Sequence, residues 1–199
     1  MRRLSHEEIS RDRLTEGELE SAPRFPIYVL LDNIRSLYNV GSIFRTSDGA
    51  RISKLYLAGY TPRPPRKEIE KTALGSTRTV PWEYVPDPLR LISLLASEGI
   101  PLCVLEHTDT SIPYYAVPPG RFPLCLAVGN ELTGVSREIV SRADFAVDIP
   151  MYGMKQSLNA AVAYGIAVFE FVRKINANTA SRASSVTGRH QSQSGSSEG

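Results

Sequence analysis

The chain has 199 residues, of which 42% are hydrophobic, and a formal net charge of +2. This length allows one domain with a sizeable core and is short for two ordinary domains. The near-neutral charge balance excludes a protein that binds polyelectrolytes over its whole surface. Any surface that binds nucleic acid is therefore expected to be local.

Several features predict a cytoplasmic protein. The start, Met-Arg-Arg-Leu-Ser-His-Glu-Glu, lacks the apolar stretch of a signal peptide, and no apolar run approaches membrane-spanning length. Cys103 and Cys125 each lie within an apolar run, which indicates reduced thiols in the core rather than a disulfide or metal ligands. The histidines are scattered, so we expect no metal site and no membrane partner.

The chain divides into three segments by composition. Residues 1–24 form a charged N-terminal extension with loosely helical apolar spacing. Residues 25–175 alternate β-rich and helical segments and form the predicted domain. Predicted strands are Ile27–Asp32, Lys54–Ala58, Leu102–Leu105, Leu124–Val128 and Phe145–Ile149; predicted helices are Val40–Ala50, Pro88–Ser97, Val135–Ser141 and Leu158–Lys174. Residues 176–199 are rich in Ser, Gly and Gln and predict a disordered tail, because they offer little apolar surface to offset ordering.

The predicted strands are almost continuously apolar. Such strands are typical of a parallel sheet that is buried on both faces. Their alternation with helices predicts right-handed β-α-β crossovers and an open, mostly parallel α/β sheet. Ligand sites in such sheets lie at the carboxyl ends of the strands.

Three polar motifs follow directly on predicted strands. The first is Asn39-Val-Gly-Ser-Ile-Phe-Arg45-Thr, which comes after the strand ending at Asp32. The second is Gly129-Asn-Glu131-Leu-Thr-Gly134, and the third is Ile149-Pro-Met151 followed by Ser157-Leu-Asn159. All three are therefore expected at one edge of the sheet.

In this order and at this approximate spacing, the motifs resemble those of the SpoU/TrmH methyltransferases of the SPOUT superfamily. Lys71-Thr-Ala-Leu-Gly75 is similar to that family's middle segment, and the resemblance spans Ile27 to Lys174. It implies a deep trefoil knot in the C-terminal third and a homodimer whose interface completes the site. It also implies transfer of a methyl group from S-adenosylmethionine to a ribose 2′-hydroxyl of tRNA or rRNA.

The same resemblance implies the site residues. Those expected to line the cofactor pocket are Gly129, Ile149, Met151 and Leu158; those expected in catalysis are Asn39, Arg45, Glu131, Ser157 and Asn159. Because methyl transfer from a sulfonium is an in-line displacement, the site must hold the ribose oxygen against the methyl and favour its deprotonation. Arg45 is always charged. We therefore expect Arg45 to grip a phosphate and stabilise the developing alkoxide, while Glu131 or a phosphate oxygen takes the proton.

Each assignment has a structural alternative. Arg45 also suits the polar face of an amphipathic helix, and Glu131 suits the N-terminus of the helix predicted near Val135. Ser157 suits the N-cap of the helix predicted from Leu158. Asn159 lowers the helix propensity of an otherwise apolar helix. Its presence there indicates that the amide side chain has a specific polar contact to make.

Basic and aromatic side chains predict where RNA binds. The basic ones lie in a proline-containing stretch between the first two motifs: Arg63, Arg66, Lys67, Lys71 and Arg78. A basic loop at the active-site end of the sheet suits phosphate contacts, although such a run also occurs on solvated faces. Tyr60, Tyr114 and Tyr115 are candidates for stacking on a base, or else amphipathic cover.

Two other functions make different predictions about the sequence. A catalytically silent RNA-binding protein of the same fold is expected to have lost motif residues, whereas Arg45, Glu131, Ser157 and Asn159 are all present. A dinucleotide-binding protein requires Gly-x-Gly-x-x-Gly after the first strand. Residues 33–41 contain one glycine, Gly41, so this motif is absent there. Because only a short segment precedes the first strand, tRNA is favoured over rRNA by analogy.

Overall fold

The computed structural model describes residues 1–11 and 13–191. Its strands are β1 (Phe25–Asp32), β2 (Ile52–Ala58), β3 (Trp82–Val85), β4 (Leu102–Leu105), β5 (Ile112–Pro113), β6 (Leu124–Val128) and β7 (Phe145–Asp148). Its α-helices are α1 (His6–Arg11), α2 (Glu16–Ser21), α3 (Leu37–Gly49), α4 (Lys67–Ala73), α5 (Pro88–Ser97), α6 (Arg137–Val140) and α7 (Ala160–Gln191).

The described strands form one sheet in the order β3-β2-β1-β6-β4-β7-β5. Every neighbouring pair in this part of the chain is parallel. Leu31 of β1 pairs with Leu57 of β2 on one side and with Val128 of β6 on the other. The strand order therefore reverses between β1 and β6, and the carboxyl ends of all these strands lie at one edge of the sheet.

The open parallel α/β fold predicted from the sequence is confirmed. Strands β4 and β6 and helix α5 have the predicted bounds. Helix α6 is shorter than predicted and starts at Arg137, and β3, β5 and α4 were missed. The two missed strands are short and interrupted by Glu83 or Pro113, so the continuous apolar signal of the other strands is absent. The trefoil knot stays a prediction.

Both faces of the sheet are covered by apolar side chains. On one face, the core includes Val40, Ile43 and Phe44 of α3 with Val168 and Phe171 of α7. On the other face, residues of α5 and α6 pack against β4 and β6. Two layers of helices thus hold the sheet between them, as the continuously apolar strands require.

Gly41 lies where α3 and α4 are in direct contact. A Cβ added at Gly41 would overlap the backbone carbonyl of Ile69 and the hydroxyl of Thr72, both in α4. Thr72 also donates to the Tyr38 carbonyl at 3.1 Å. The glycine of the first motif therefore allows α4, with part of the basic stretch, to pack against α3.

Helix α7 begins two positions later than predicted and continues to Gln191. This differs from the predicted disordered tail from residue 176. Residues 176–191 contain no proline, and their one glycine is Gly188. Nothing in their sequence therefore stops a helix that is already formed. Residues 192–199 of the predicted tail lie outside the described residues.

Both cysteines are core residues, as predicted. Cys103 and Cys125 are free and fully buried in neighbouring strands. Burial raises the pKa of the Cys125 thiol to about 12. Such thiols are unreactive. Across residues 1–11 and 13–191, no helix has the length and apolarity needed to cross a membrane.

A buried hydroxyl pair joins α3 to α7. Ser47 Oγ and Tyr164 Oη lie 2.7 Å apart, and both side chains are fully buried. We expect Tyr164→Phe to lower the free energy of unfolding by about 1–3 kcal/mol, because Ser47 would stay buried without its partner. Chemical denaturation measures this loss.

The double variant S47A/Y164F is the control. Removing both hydroxyls leaves no buried hydroxyl without a hydrogen-bond partner. We therefore expect the double variant to lose less free energy of unfolding than the two single variants lose together. A Tyr164→Phe protein as stable as the wild type would show that this pair does not hold the two helices together.

Candidate active site

A cavity of about 690 Å³ opens at the carboxyl edge of the sheet. The loops that follow β4, β6 and β7 enclose it, together with the first turn of α7. This edge lies beside the reversal of strand order between β1 and β6, which is where open α/β sheets bind ligands. The fold therefore creates the cavity where the polar motifs converge.

All four residues predicted for the cofactor pocket line this cavity: Gly129, Ile149, Met151 and Leu158. Gly129 is required sterically, because a Cβ there would overlap the backbone of Gly134 and Val135. It therefore lets the loop after β6 fold back on itself and form one wall. Apolar side chains from the loop after β7 face the same space.

Glu131 joins the loop after β6 to the start of α3. Its carboxylate accepts hydrogen bonds from the backbone N–H of Arg35 at 2.9 Å and of Ser36 at 3.1 Å. It also accepts one from Asn39 Nδ2 at 2.7 Å. Glu131 thus lies at a helix N-terminus, as its structural alternative predicted, but at that of α3 rather than α6.

These contacts set the protonation of Glu131. Burial raises its pKa, but the donated N–H groups of Arg35, Glu131 itself, Asn39 and Ser36 together outweigh burial. The net effect is a pKa below the ordinary value for glutamate. Glu131 is therefore ionised at neutral pH, with most of its acceptor positions occupied.

The predicted amides form a chain from α3 to α7. Asn159 Nδ2 donates to Asn39 Oδ1 at 3.0 Å, and Asn39 in turn donates to Glu131. Asn159 Oδ1 accepts from the backbone N–H of Ala161 at 3.0 Å and of Val162 at 3.3 Å. The N-cap of α7 is therefore Asn159, and the alternative that gave this role to Ser157 is wrong. Ser157 instead lines the cavity beside Leu158.

Arg45 is placed apart from the cavity. It lies on α3 with an exposed side chain and is absent from the cavity lining. The neighbouring Thr46 approaches Gly165 of α7. Within the described residues, the Arg45 side chain makes no hydrogen bond or ion pair. One chain alone therefore brings together Asn39, Glu131, Ser157 and Asn159, but not Arg45.

Four polar residues at the site were not predicted: Asp32, Asn33, Glu106 and Asn130. Buried Asp32 accepts from the backbone N–H of Ser136 at 2.7 Å. Glu106 lines the cavity and accepts from the backbone N–H of Val135 at 3.0 Å. All four lie at the end of a strand or within two residues after it. A polar residue that ends an apolar run was the sequence signal for them.

The basic residues predicted to bind RNA are all exposed: Arg63, Arg66, Lys67, Lys71 and Arg78. Arg63 and Arg66 lie in the loop after β2, whereas Lys67 and Lys71 lie on α4, so the stretch is only partly a loop. Lys71 Nζ lies 6.0 Å from the centre of the Tyr38 ring, next to Asn39. Lys71 therefore borders the site on the α3–α4 side.

Several known proteins are similar to this chain in sequence and in fold. A tRNA (guanosine(18)-2'-O)-methyltransferase of Aquifex aeolicus is 36% identical over 149 residues, which cover 74% of this chain and 69% of that protein. The chain spans 60% of some other curated relatives. The crystal structure of the A. aeolicus TrmH/SpoU tRNA modifying enzyme has a TM-score of 0.73 at 31% identity, covering 82% of this chain and 85% of that one.

A SpoU methyltransferase from Streptomyces viridochromogenes, AviRb, was solved in complex with AdoMet. It has a TM-score of 0.70 at 28% identity, covering 76% of this chain and 62% of that one. Residues 26–169 match the model of the SpoU rRNA Methylase family. This match, with the A. aeolicus relative, shows that the chain belongs to the SpoU rRNA methylase family.

Proposed function

We propose that this chain transfers a methyl group from S-adenosylmethionine to a ribose 2′-hydroxyl of RNA. The main support is the cavity. Its lining contains the four predicted cofactor residues and three of the five predicted catalytic residues. Relatives named as RNA 2'-O-methyltransferases and a neighbour solved with AdoMet support it. As the substrate we propose tRNA, on which the A. aeolicus relative acts by its name.

The cavity suits S-adenosylmethionine in size and chemistry. Its volume lies within the usual range for small-molecule sites, about 300–1,000 Å³. Ile149, Met151 and Leu158 offer apolar cover for an adenine, and the carboxylates of Glu106 and Asp148 offer acceptors for hydroxyl or ammonium groups. When bound, the cofactor supplies an electrophilic methyl group on a sulfonium.

We assign Glu131 to positioning. Its carboxylate holds the backbone of Arg35 and Ser36 and orients Asn39, so most of its acceptor positions are already used. Its lowered pKa also makes it a weak base. The ribose proton is therefore left to an acceptor on the RNA or in solvent. Glu131 fixes Asn39 and, through it, Asn159, which lines the cavity.

We propose that the active form is a homodimer. Val162 and Phe169 of α7 are about half exposed and, with Ile166, form one stripe that we name the α7 face. Aromatic and aliphatic side chains exposed in a stripe are typical of an interface. The stripe lies beside the C-terminal part of α3, since a Cβ at Gly49 would contact the Phe169 ring at 3.6 Å.

This dimer gives Arg45 a site. Arg45 lies on α3 next to Thr46, which packs near α7. We propose that pairing of two α7 faces brings Arg45 towards the partner's cavity. There its guanidinium grips a phosphate and stabilises the developing alkoxide. We also place the protein in the cytoplasm, where its buried, unpaired cysteines remain reduced.

The direct test of the function is nucleoside analysis. We expect the purified chain, given S-adenosylmethionine and bulk tRNA, to produce a nucleoside that mass spectrometry identifies as methylated on its ribose. Total RNA from cells that lack the gene should lose the same nucleoside. RNA binding without methyl transfer would instead favour a catalytically silent RNA-binding protein.

Arg45 is tested by substitution. We expect Arg45→Ala to slow single-turnover methyl transfer by about two to three orders of magnitude, because a preorganised charge contact in the transition state is lost. Affinity for S-adenosylmethionine, measured by calorimetry, should stay unchanged. Arg45→Lys should recover little, because an ammonium cannot reproduce the bidentate fork.

The matched control for Arg45 is Arg90→Ala, which removes another exposed arginine from a helix on the opposite face of the sheet. It should transfer methyl groups at the wild-type rate. An Arg45→Ala protein as fast as this control would show that Arg45 is only a surface residue.

Glu131 is tested by the pH dependence of stability. We expect Glu131→Gln to lower the free energy of unfolding at neutral pH, because an amide cannot accept all three hydrogen bonds. The folded pKa is lowered, so the carboxylate's contribution is complete above the ordinary value of about 4.3 and is lost as the pH falls through the lower folded value. The difference between wild type and variant should therefore shrink below about pH 4.

Urea denaturation of both proteins at several pH values measures this difference. Glu98→Gln changes an exposed glutamate at the end of α5 and serves as the control. If Glu131→Gln leaves stability unchanged at every pH, Glu131 does not hold the loop at the start of α3.

A further inference from the structure

The loop after β2 carries an exposed tyrosine, Tyr60, whose hydroxyl and backbone N–H are both hydrogen-bonded. The Tyr60 side chain is 61% exposed, yet its hydroxyl accepts a hydrogen bond from Asn130 Nδ2 at 2.7 Å. At the other end, the Tyr60 backbone N–H donates to Asn33 Oδ1 at 3.1 Å. The ring therefore faces solvent in a fixed orientation.

The backbone around Tyr60 is equally constrained. Gly59 has a φ of +60°, and a Cβ there would overlap the Asn33 side chain. Buried Thr61 donates to the Leu31 carbonyl and accepts from the Ile34 N–H, each at 3.1 Å. The loop is thus tied to the end of β1 on both sides of Tyr60. An exposed ring ordered in advance loses little further entropy when a ligand covers it.

A second planar group lies close to Tyr60 in the chain. The Arg63 guanidinium is 4.0 Å from the centre of the Tyr84 ring, and the Tyr84 hydroxyl donates to the Gly59 carbonyl at 3.3 Å. Among the residues that the structure describes, Arg63 has no hydrogen bond or ion pair. We name Tyr60, Arg63 and Tyr84 the β2 platform.

The platform adjoins the cavity. Asn130, which holds the Tyr60 hydroxyl, lines the cavity and precedes Glu131. Tyr114 and Tyr115, the other stacking candidates from the sequence, follow β5 at the opposite end of the strand order. Of these three tyrosines, Tyr60 alone is bonded to a cavity residue.

The charge around the platform matches a polyanion. Arg66, Lys67 and Lys71 follow Arg63 in the chain with exposed side chains, and these four basic residues outnumber Glu68 and Glu70 of the same segment. Unpaired RNA is recognised by stacking of its bases on aromatic rings and on arginine planes, while basic side chains contact its phosphates. The platform with its basic neighbours provides both.

We propose that the β2 platform stacks an unpaired nucleobase of the substrate RNA, with Tyr60 as the main stacking surface. This rests on the proposed function, and it adds that the RNA enters over the loop after β2 in a single-stranded conformation. Stacking on a fixed ring beside Asn130 would hold the neighbouring ribose at the mouth of the cavity. The Tyr60 hydroxyl, bonded to Asn130, serves only to orient the ring.

The test measures binding of the full chain to two fluorescent oligonucleotides of about ten nucleotides, the scale of single-strand sites. One is an oligouridylate, and the other is an abasic RNA of equal length and charge. Wild type should prefer the oligouridylate. Tyr60→Ala should weaken oligouridylate binding about tenfold, leave the abasic RNA nearly unaffected and so remove the preference.

Two further variants separate the ring from its surroundings. Tyr60→Phe keeps the ring and should keep most of the preference for bases. Tyr115→Ala removes another exposed tyrosine, 51% exposed and far along the sheet, and should bind both RNAs like wild type. Affinity for S-adenosylmethionine should be the same in all these proteins.

The inference is overturned if Tyr60→Ala binds the oligouridylate as tightly as wild type, or loses affinity equally for both RNAs. It is also overturned if wild type shows no preference for bases. Methyl transfer to tRNA is assayed in parallel with the same wild-type protein. Methyl transfer without a base preference would contradict only the proposal that the β2 platform stacks a base. Binding with a base preference but without methyl transfer would contradict only the proposed enzymatic function.

Discussion

The carboxylate of Glu131 joins the two halves of the sheet where the strand order reverses. It extends from the loop after β6 and holds the backbone N–H groups of Arg35 and Ser36 at the start of α3. The same carboxylate orients Asn39, and Asn39 accepts from the N-cap of α7. One ionised group therefore sets the relative positions of α3, α7 and the cavity wall. The chemistry proposed for the site depends on this arrangement.

A second set of hydrogen bonds connects the cavity to the outer surface. Asn130 lines the cavity, and its side chain donates to the Asn33 carbonyl at 2.8 Å and to the Tyr60 hydroxyl at 2.7 Å. Its Oδ1 accepts from the backbone of Leu132 and Thr133 in the same loop. The cavity wall and the proposed RNA platform are thus parts of one bonded unit. Adjacent sites for cofactor and RNA are what a group-transfer enzyme requires.

The sequence predicted the parts of this structure that depend on local pattern. Apolar runs located β4 and β6, and the motifs located Gly129, Ile149, Met151 and Leu158, all of which line the cavity. Contacts between distant segments were not predictable in this way. Nothing near Glu131 in the sequence indicates that it bonds to the start of α3, and an exposed Arg45 apart from the cavity contradicts any simple grouping of the motif residues.

We propose that Arg45 of a second copy completes the cavity of each subunit. Arg45→Ala and Leu158→Glu proteins, the latter with a charge placed in the apolar lining, can be co-expressed with different tags and purified as mixed dimers. We expect each parent dimer to be nearly inactive in methyl transfer. The mixed dimer should regain about half of the wild-type activity, because one of its two sites is intact. A mixed dimer as inactive as its parents would contradict the claim and place Arg45 in its own chain's site.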